Sequence, residues 1–174
     1  MGPGGQERAW VRGAQGGDAS AFEALFRRHW PLAYRAAYLV VHDAAAAEDI
    51  AQEAFLAAVR NLDRFDRRRP FGPWLHRIVV NRAIDWARAR ALRAEVTGAE
   101  LAAAAAPDGS ELAEQTLDAV RALPPEHRAV IVLRYLLEYT PGEIAGLLDL
   151  PRGTVNSRLR RALDVLGEQL GEDE

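Results

Sequence analysis

The chain has 174 residues, 49% of them hydrophobic, which is room for one ordinary domain or two small ones with real cores. It contains no Cys, which excludes a disulfide framework, Cys-ligated zinc and thiol chemistry. The net charge is −3 and every basic residue is Arg, but the charge is unevenly spread: 15 Arg face 10 acids in residues 1–94, four acids stand without a base in 95–112, and 7 Arg face 11 acids in 113–174.

In chain order, Met1 to Gly17 carries Glu7, Arg8 and Arg12 and no apolar run, so no export signal is expected. No window approaches the length of a transmembrane span, and a cytoplasmic protein is expected. Ala21 to Val41 has Phe22, Leu25, Phe26, Trp30 and Leu32 along one side of a helix; Pro31 inside the pattern predicts a kink or a division. Asp43 is placed to cap a second helix running to about Leu62. Ile50, Ala54, Ala57 and Ala58 form its apolar side, widened by Phe55 and Val59. Asp49, Gln52 and Glu53 stand at i, i+3 and i+4 and share one face, for which a plain solvated surface is the ordinary reading.

Asn61 to Pro73 reads as a loop holding Arg64, Phe65, Arg67, Arg68, Arg69 and Phe71. A third helix is predicted from about Trp74 to Arg93, with Arg77, Asn81, Arg82, Asp85, Arg88 and Arg90 outward. An Arg-rich loop beside a helix of Arg, Asn and Trp suits single-stranded nucleic acid, because Arg neutralises phosphate and aromatic faces stack on unpaired bases. Trp74, Ile78 and Trp86 fit a core. Phe71, between Pro70 and Gly72, is harder to bury and is the better base contact.

Residues 94–112 lack aromatics and end in Pro107-Asp108-Gly109-Ser110, which predicts a flexible linker between a first domain at 18–93 and a second at 113–170. In the second, Thr140 is an N-cap, Pro141 suits the first helical position and Glu143 completes a capping box. Asp149 to Gly153 turns the chain. Val155, Leu159, Leu163, Leu166 and Leu170 then recur as one apolar stripe. Ser157, Arg160 and Arg161 point away from it, flanked by Asn156 and Arg158. That is a helix-turn-helix with a polar second helix, as major-groove reading requires, although a surface helix with a solvated Arg face has the same pattern. No strand alternation occurs, so the class is all-α. His29, His42, His76 and His127 have no metal-binding spacing, and no phosphate loop or nucleophile elbow is present. No metal, cofactor or small-molecule substrate is expected, and no enzyme.

These motifs also resemble a known family. Asp49 to Phe55 reads D-I-A-Q-E-A-F, Phe71 to Trp86 reads F-G-P-W-L-H-R-I-V-V-N-R-A-I-D-W, and Leu123 to Tyr135 reads L-P-P-E-H-R-A-V-I-V-L-R-Y. Gly153 to Ala162 adds G-T-V-N-S-R-L-R-R-A. In this order and spacing they are similar to an extracytoplasmic-function sigma factor, the compact branch of the sigma-70 family. The resemblance implies two helical DNA-binding domains and a linker that threads toward the RNA exit channel. It implies that Asp49, Gln52 and Glu53 dock on the clamp of core RNA polymerase. By the same resemblance, Arg67, Arg68, Arg69, Phe71, Asn81 and Arg82 capture the minus-ten strand of promoter DNA. Asn156, Ser157, Arg158, Arg160 and Arg161 then read the minus-thirty-five element, and an anti-sigma factor is a further partner. A helix-turn-helix regulator that never docks on polymerase is the alternative. The chain departs from the family at Asn156, where Arg or Lys is usual, and at Leu163, where a basic residue is usual.

Overall fold

The computed structural model describes residues 3–97 and 111–171, and among these residues every regular element is helical. The elements are α1 (Pro3–Gln15), α2 (Ala19–Val41), α3 (Ala44–Asn61), α4 (Phe71–Thr97), α5 (Glu111–Ala122), α6 (Pro125–Ile131), α7 (Pro141–Leu148) and α8 (Arg152–Gly171). A 3₁₀ turn at Leu62–Arg64 follows α3, and a π turn at Val132–Leu136 continues α6.

Local caps explain most of the boundaries. Asp18 accepts the Ser20 N–H at 2.9 Å and starts α2. His42 ends α2 in the left-handed region at φ 51°, and the next residue, Asp43, accepts the Ala46 N–H at 3.0 Å and starts α3. Hydrogen bonds from Ala46 and Arg90 hold the Asp43 carboxyl below its usual range. Pro31 does not divide α2. It is exposed, so the carbonyl it leaves without a helical partner faces water.

The helix of the third pattern begins at Phe71, three residues before the expected Trp74, because Pro73 sits in the first turn, where its missing N–H costs nothing. It runs to Thr97. The expected linker at 94–112 therefore gives four residues to α4 and two to α5, and 98–110 lie outside the described residues. α1 precedes the expected start of the first domain, yet it belongs to it. Val11 is buried against α2, and Gln15 Nε2 donates to the Leu62 and Phe65 carbonyls at 2.9 and 3.0 Å.

α2, α3 and α4 pack around Leu25, Val40, Ile50, Phe55, Leu75, Val79 and Val80. α5 to α8 pack around Leu123, Val130, Leu133, Ile144 and Val155, and the two groups join in one continuous core. Polar bonds cross the join. Arg128 Nη1 donates to the Val40 carbonyl at 2.6 Å, Arg88 pairs with Glu126, and His76 Nδ1 shares a 2.8 Å hydrogen bond with the Tyr139 hydroxyl. Burial pushes Arg128 down to about 10 and His76 down to about 4, so at neutral pH the first stays charged and the second neutral.

The expected capping box is present in full. Thr140 Oγ1 accepts the Glu143 N–H at 3.3 Å, and Glu143 Oε2 accepts the Thr140 N–H at 2.8 Å. Thr140→Ala should lower unfolding free energy by about 1 kcal/mol in a urea titration; an unchanged midpoint would mean that tertiary packing alone holds α7.

Candidate functional site

α3 buries Ala47, Ile50, Ala51, Ala54, Phe55 and Ala58 and turns Asp49, Gln52 and Glu53 together into solvent. Leu56 and Val59 are exposed beside them, at 53% and 45%. Val59 therefore does not widen the buried stripe; it adds apolar surface to the outer side. Glu53 Oε2 takes a 2.7 Å ion pair from Arg82 Nη1 of α4, so one expected contact on α3 is tied to one on α4.

The loop and the start of α4 bring Arg67, Arg68 and Arg69 to the surface. Arg68 folds back on Asp66 with a 3.0 Å bond, which lowers the Asp66 carboxyl. Phe71 departs from expectation. It is 1% exposed, its ring centroid 5.3 Å from His29, 5.9 Å from Phe65 and 5.7 Å from Trp74. A side chain so enclosed presents no face to a base, and Phe71 is a core residue. Trp74 is the more accessible ring. It is half-buried, meets Phe65 in a tilted contact with ring centroids 4.5 Å apart, and lines an open cavity of about 830 Å³ with Arg64, Arg69 and Arg77. Tyr139 and Leu147, from the second half of the chain, also line it. Asn81 is half-buried and lies one helical face with Trp74 and Arg77, at i, i+3 and i+7.

On α8, Val155, Leu159 and Ala162 are buried, while Asn156, Ser157, Arg160 and Arg161 are exposed. Ser157 Oγ donates to the Thr154 carbonyl at 3.2 Å. Arg158 is half-buried near the start of α6; burial and then the Arg158 charge lower His127, while Glu126 is lowered against its burial chiefly by its hydrogen bond from Arg88. The apolar stripe is narrower than the sequence suggests: Leu163 is 44% exposed, on the same side as Asn156 and Arg160, and Leu170 is exposed too. Ala162, not Leu163, meets the core.

α1 adds to this surface beyond the residues expected from sequence. Arg8 and Arg12, one turn apart, stand with Arg67 and Arg68 around a cleft of about 260 Å³. The signal was available, since Val11 between them is apolar and Arg8 and Arg12 are spaced by four. Among the described residues no group of His, Asp and Glu is arranged to hold a metal ion, and no helix is long and apolar enough to cross a membrane.

Residues 25–93 match the family model Sigma-70 region 2, and residues 113–166 match Sigma-70, region 4. The ECF RNA polymerase sigma factor SigW of Bacillus subtilis is 35% identical, over 92% of this chain and 94% of its own length. The RNA polymerase sigma factor CarQ of Myxococcus xanthus is 36% identical, over 90% and 92%. Among solved structures, CnrH in complex with the cytosolic domain of CnrY is similar with a TM-score of 0.71 and 30% identity, covering 97% of this chain and 99% of that one.

Proposed function

This chain belongs to the sigma-70 family, in its extracytoplasmic-function branch, and from that premise we propose which of its surfaces carry promoter-directed initiation by core RNA polymerase. It acts as an alternative sigma factor, with core polymerase and promoter DNA as its partners, in the cytoplasm and without a catalytic step of its own. Asp49, Gln52 and Glu53 are the polymerase-facing side of α3. Arg67, Arg68, Arg69, Asn81 and Arg82 hold the minus-ten strand, with Trp74 in place of Phe71 as the ring on which a base stacks. Asn156, Ser157, Arg158, Arg160 and Arg161 face the minus-thirty-five element. An anti-sigma protein completes the partner set; the support is that the similar CnrH was solved in complex with part of a second protein, the cytosolic domain of CnrY.

The observation that carries this reading is the division of α8. Val155 and Leu159 anchor it in the core, while Asn156, Arg160 and Arg161 stand in solvent on a capped helix-turn-helix. Run-off transcription tests it. Core polymerase with this chain should give a discrete transcript from a promoter selected from random sequence, and core alone should not. If the chain adds no discrete transcript on any selected fragment, the reading fails.

The α3 assignment has its own test. Asp49→Ala with Glu53→Ala should weaken core binding in a titration, while stability falls by no more than about 1 kcal/mol, because both positions are exposed and of the two only Glu53 carries an ion pair among the described residues. The Glu53–Arg82 pair lies at the surface and contributes only about 0.2–1 kcal/mol. Unchanged affinity for core would remove Asp49 and Glu53 from the interface.

A further inference from the structure

We infer that the nucleic-acid surface extends into the cleft between α1 and the 65–70 loop, where Arg8 and Arg12 join Arg67 and Arg68 in gripping backbone phosphates of the promoter strand. The inference rests on the sigma-factor reading, and it extends the DNA surface to a helix that lies before residue 25, where the region 2 match begins.

The four guanidinium groups come from segments more than fifty residues apart and still line one cleft of about 260 Å³. The fold holds them there. Val11 is 2% exposed and fixes the rotation of α1, which leaves Arg8 and Arg12 exposed one turn apart. One turn further on, Gln15 clamps the end of α1 to the Leu62 and Phe65 carbonyls, and so to the start of the loop that carries Arg67 and Arg68.

The local charge is unbalanced. Asp66 is engaged by Arg68, and Glu7, next to Arg8, is engaged by His29 at 2.8 Å. Arg8, Arg12 and Arg67 have no ion pair among the described residues. Gathered cations repel one another, and a polyanion reverses the sign of that energy. The arginine heads stand in solvent with no buried donor among them, which is how a protein tracks a nucleic-acid backbone and not how it encloses a small anion. Arg69, the residue after Arg68, lines the cavity of the proposed base site together with Phe65 and Trp74, so consecutive residues of one loop serve both places.

The test uses the full chain with core polymerase and a fluorescent promoter fragment, titrated with salt. R8Q/R12Q should fold normally and keep its base preference. Its slope of log K against log salt should shrink by about 1.4, because each single-strand phosphate contributes about 0.7. Over a fourfold range of salt, its affinity should then change about sevenfold less than that of wild type. R8K/R12K should restore the slope, since a phosphate contact needs the charge and not the guanidinium plane. An R8Q/R12Q slope equal to wild type, beside a weakened R160Q/R161Q control, overturns this site and leaves the sigma reading standing. No promoter-specific binding by the wild-type chain overturns both. If R8Q/R12Q loses affinity for inorganic phosphate while promoter binding keeps its slope, the cleft holds small anions and the inference is wrong.

Discussion

Phe71→Ala should destabilise the protein by about 3–5 kcal/mol, the usual cost of emptying a buried Phe site. The ring is 1% exposed and meets His29 of α2, Phe65 of the loop and Trp74 of its own helix, so its loss unpins the loop and α2 from α4 at one point. Domains are stable by only about 5–15 kcal/mol, so this single change takes a large share. Urea denaturation should show a much lower midpoint, and promoter melting should fall only as far as the folded fraction falls. Trp74→Ala should behave in the opposite way, with a modest stability loss and a weaker open complex, because base stacking on a ring contributes about 1–3 kcal/mol. A Phe71→Ala protein of normal stability that nevertheless fails to melt promoter DNA would return Phe71 to the base site.

Asn156→Ala should relax preference at one base pair of the minus-thirty-five element, at a cost of about 1–3 kcal/mol at that pair. The Asn156 amide is exposed and has no hydrogen bond among the described residues, so both its donor and its acceptor are available to a base edge. Arg160→Ala and Arg161→Ala should each weaken binding, either at one position or uniformly over all sequences, and the pattern tells a base contact from a phosphate contact. Leu163, exposed on this side, supplies no charge and can only meet a thymine methyl or a sugar. Selection from randomised promoters reads all of these outcomes. The same preferred sequence for wild type and the Asn156→Ala protein would place Asn156 outside the interface.

What could be read from the sequence was whatever is decided within one or two turns of chain. Thr140 and Glu143 form their capping box with each other, and Asp43 caps the next residues, so both were visible as patterns. The outward placement of Asp49, Gln52 and Glu53 follows from helical spacing alone, and so does that of Arg160 and Arg161. Gly72 and Pro73 give Phe71 the look of a loop residue, whereas a Pro in the first turn is compatible with a helix that docks its leading residue into the core. Leu163 and Val59 look core-forming by side chain, yet both are exposed, because which side of a helix is covered depends on where its neighbours lie, which is not encoded in period. The place of α1 is not legible locally for the same reason: its helix is held by Gln15 reaching carbonyls about fifty residues away. The join between the two helical groups, through His76, Tyr139, Arg128 and Glu126, left no local trace at all.

That join bears on the length of DNA the protein addresses. Two elements centred near positions ten and thirty-five are separated by about 25 base pairs, or roughly 85 Å at 3.4 Å per step. A folded chain of this size has a radius of gyration of about 16 Å, so with α2 and α4 packed on α6 it is too short a ruler for both elements at once. On the function proposed here, the Arg128–Val40 and His76–Tyr139 bonds break before both elements are occupied, and the free energy of that parting is subtracted from promoter affinity. A protein closed in 99 molecules of every 100 would bind such a span about a hundredfold more weakly than its open form. Polymerase, by holding the two halves apart, would restore that factor without adding a contact to DNA.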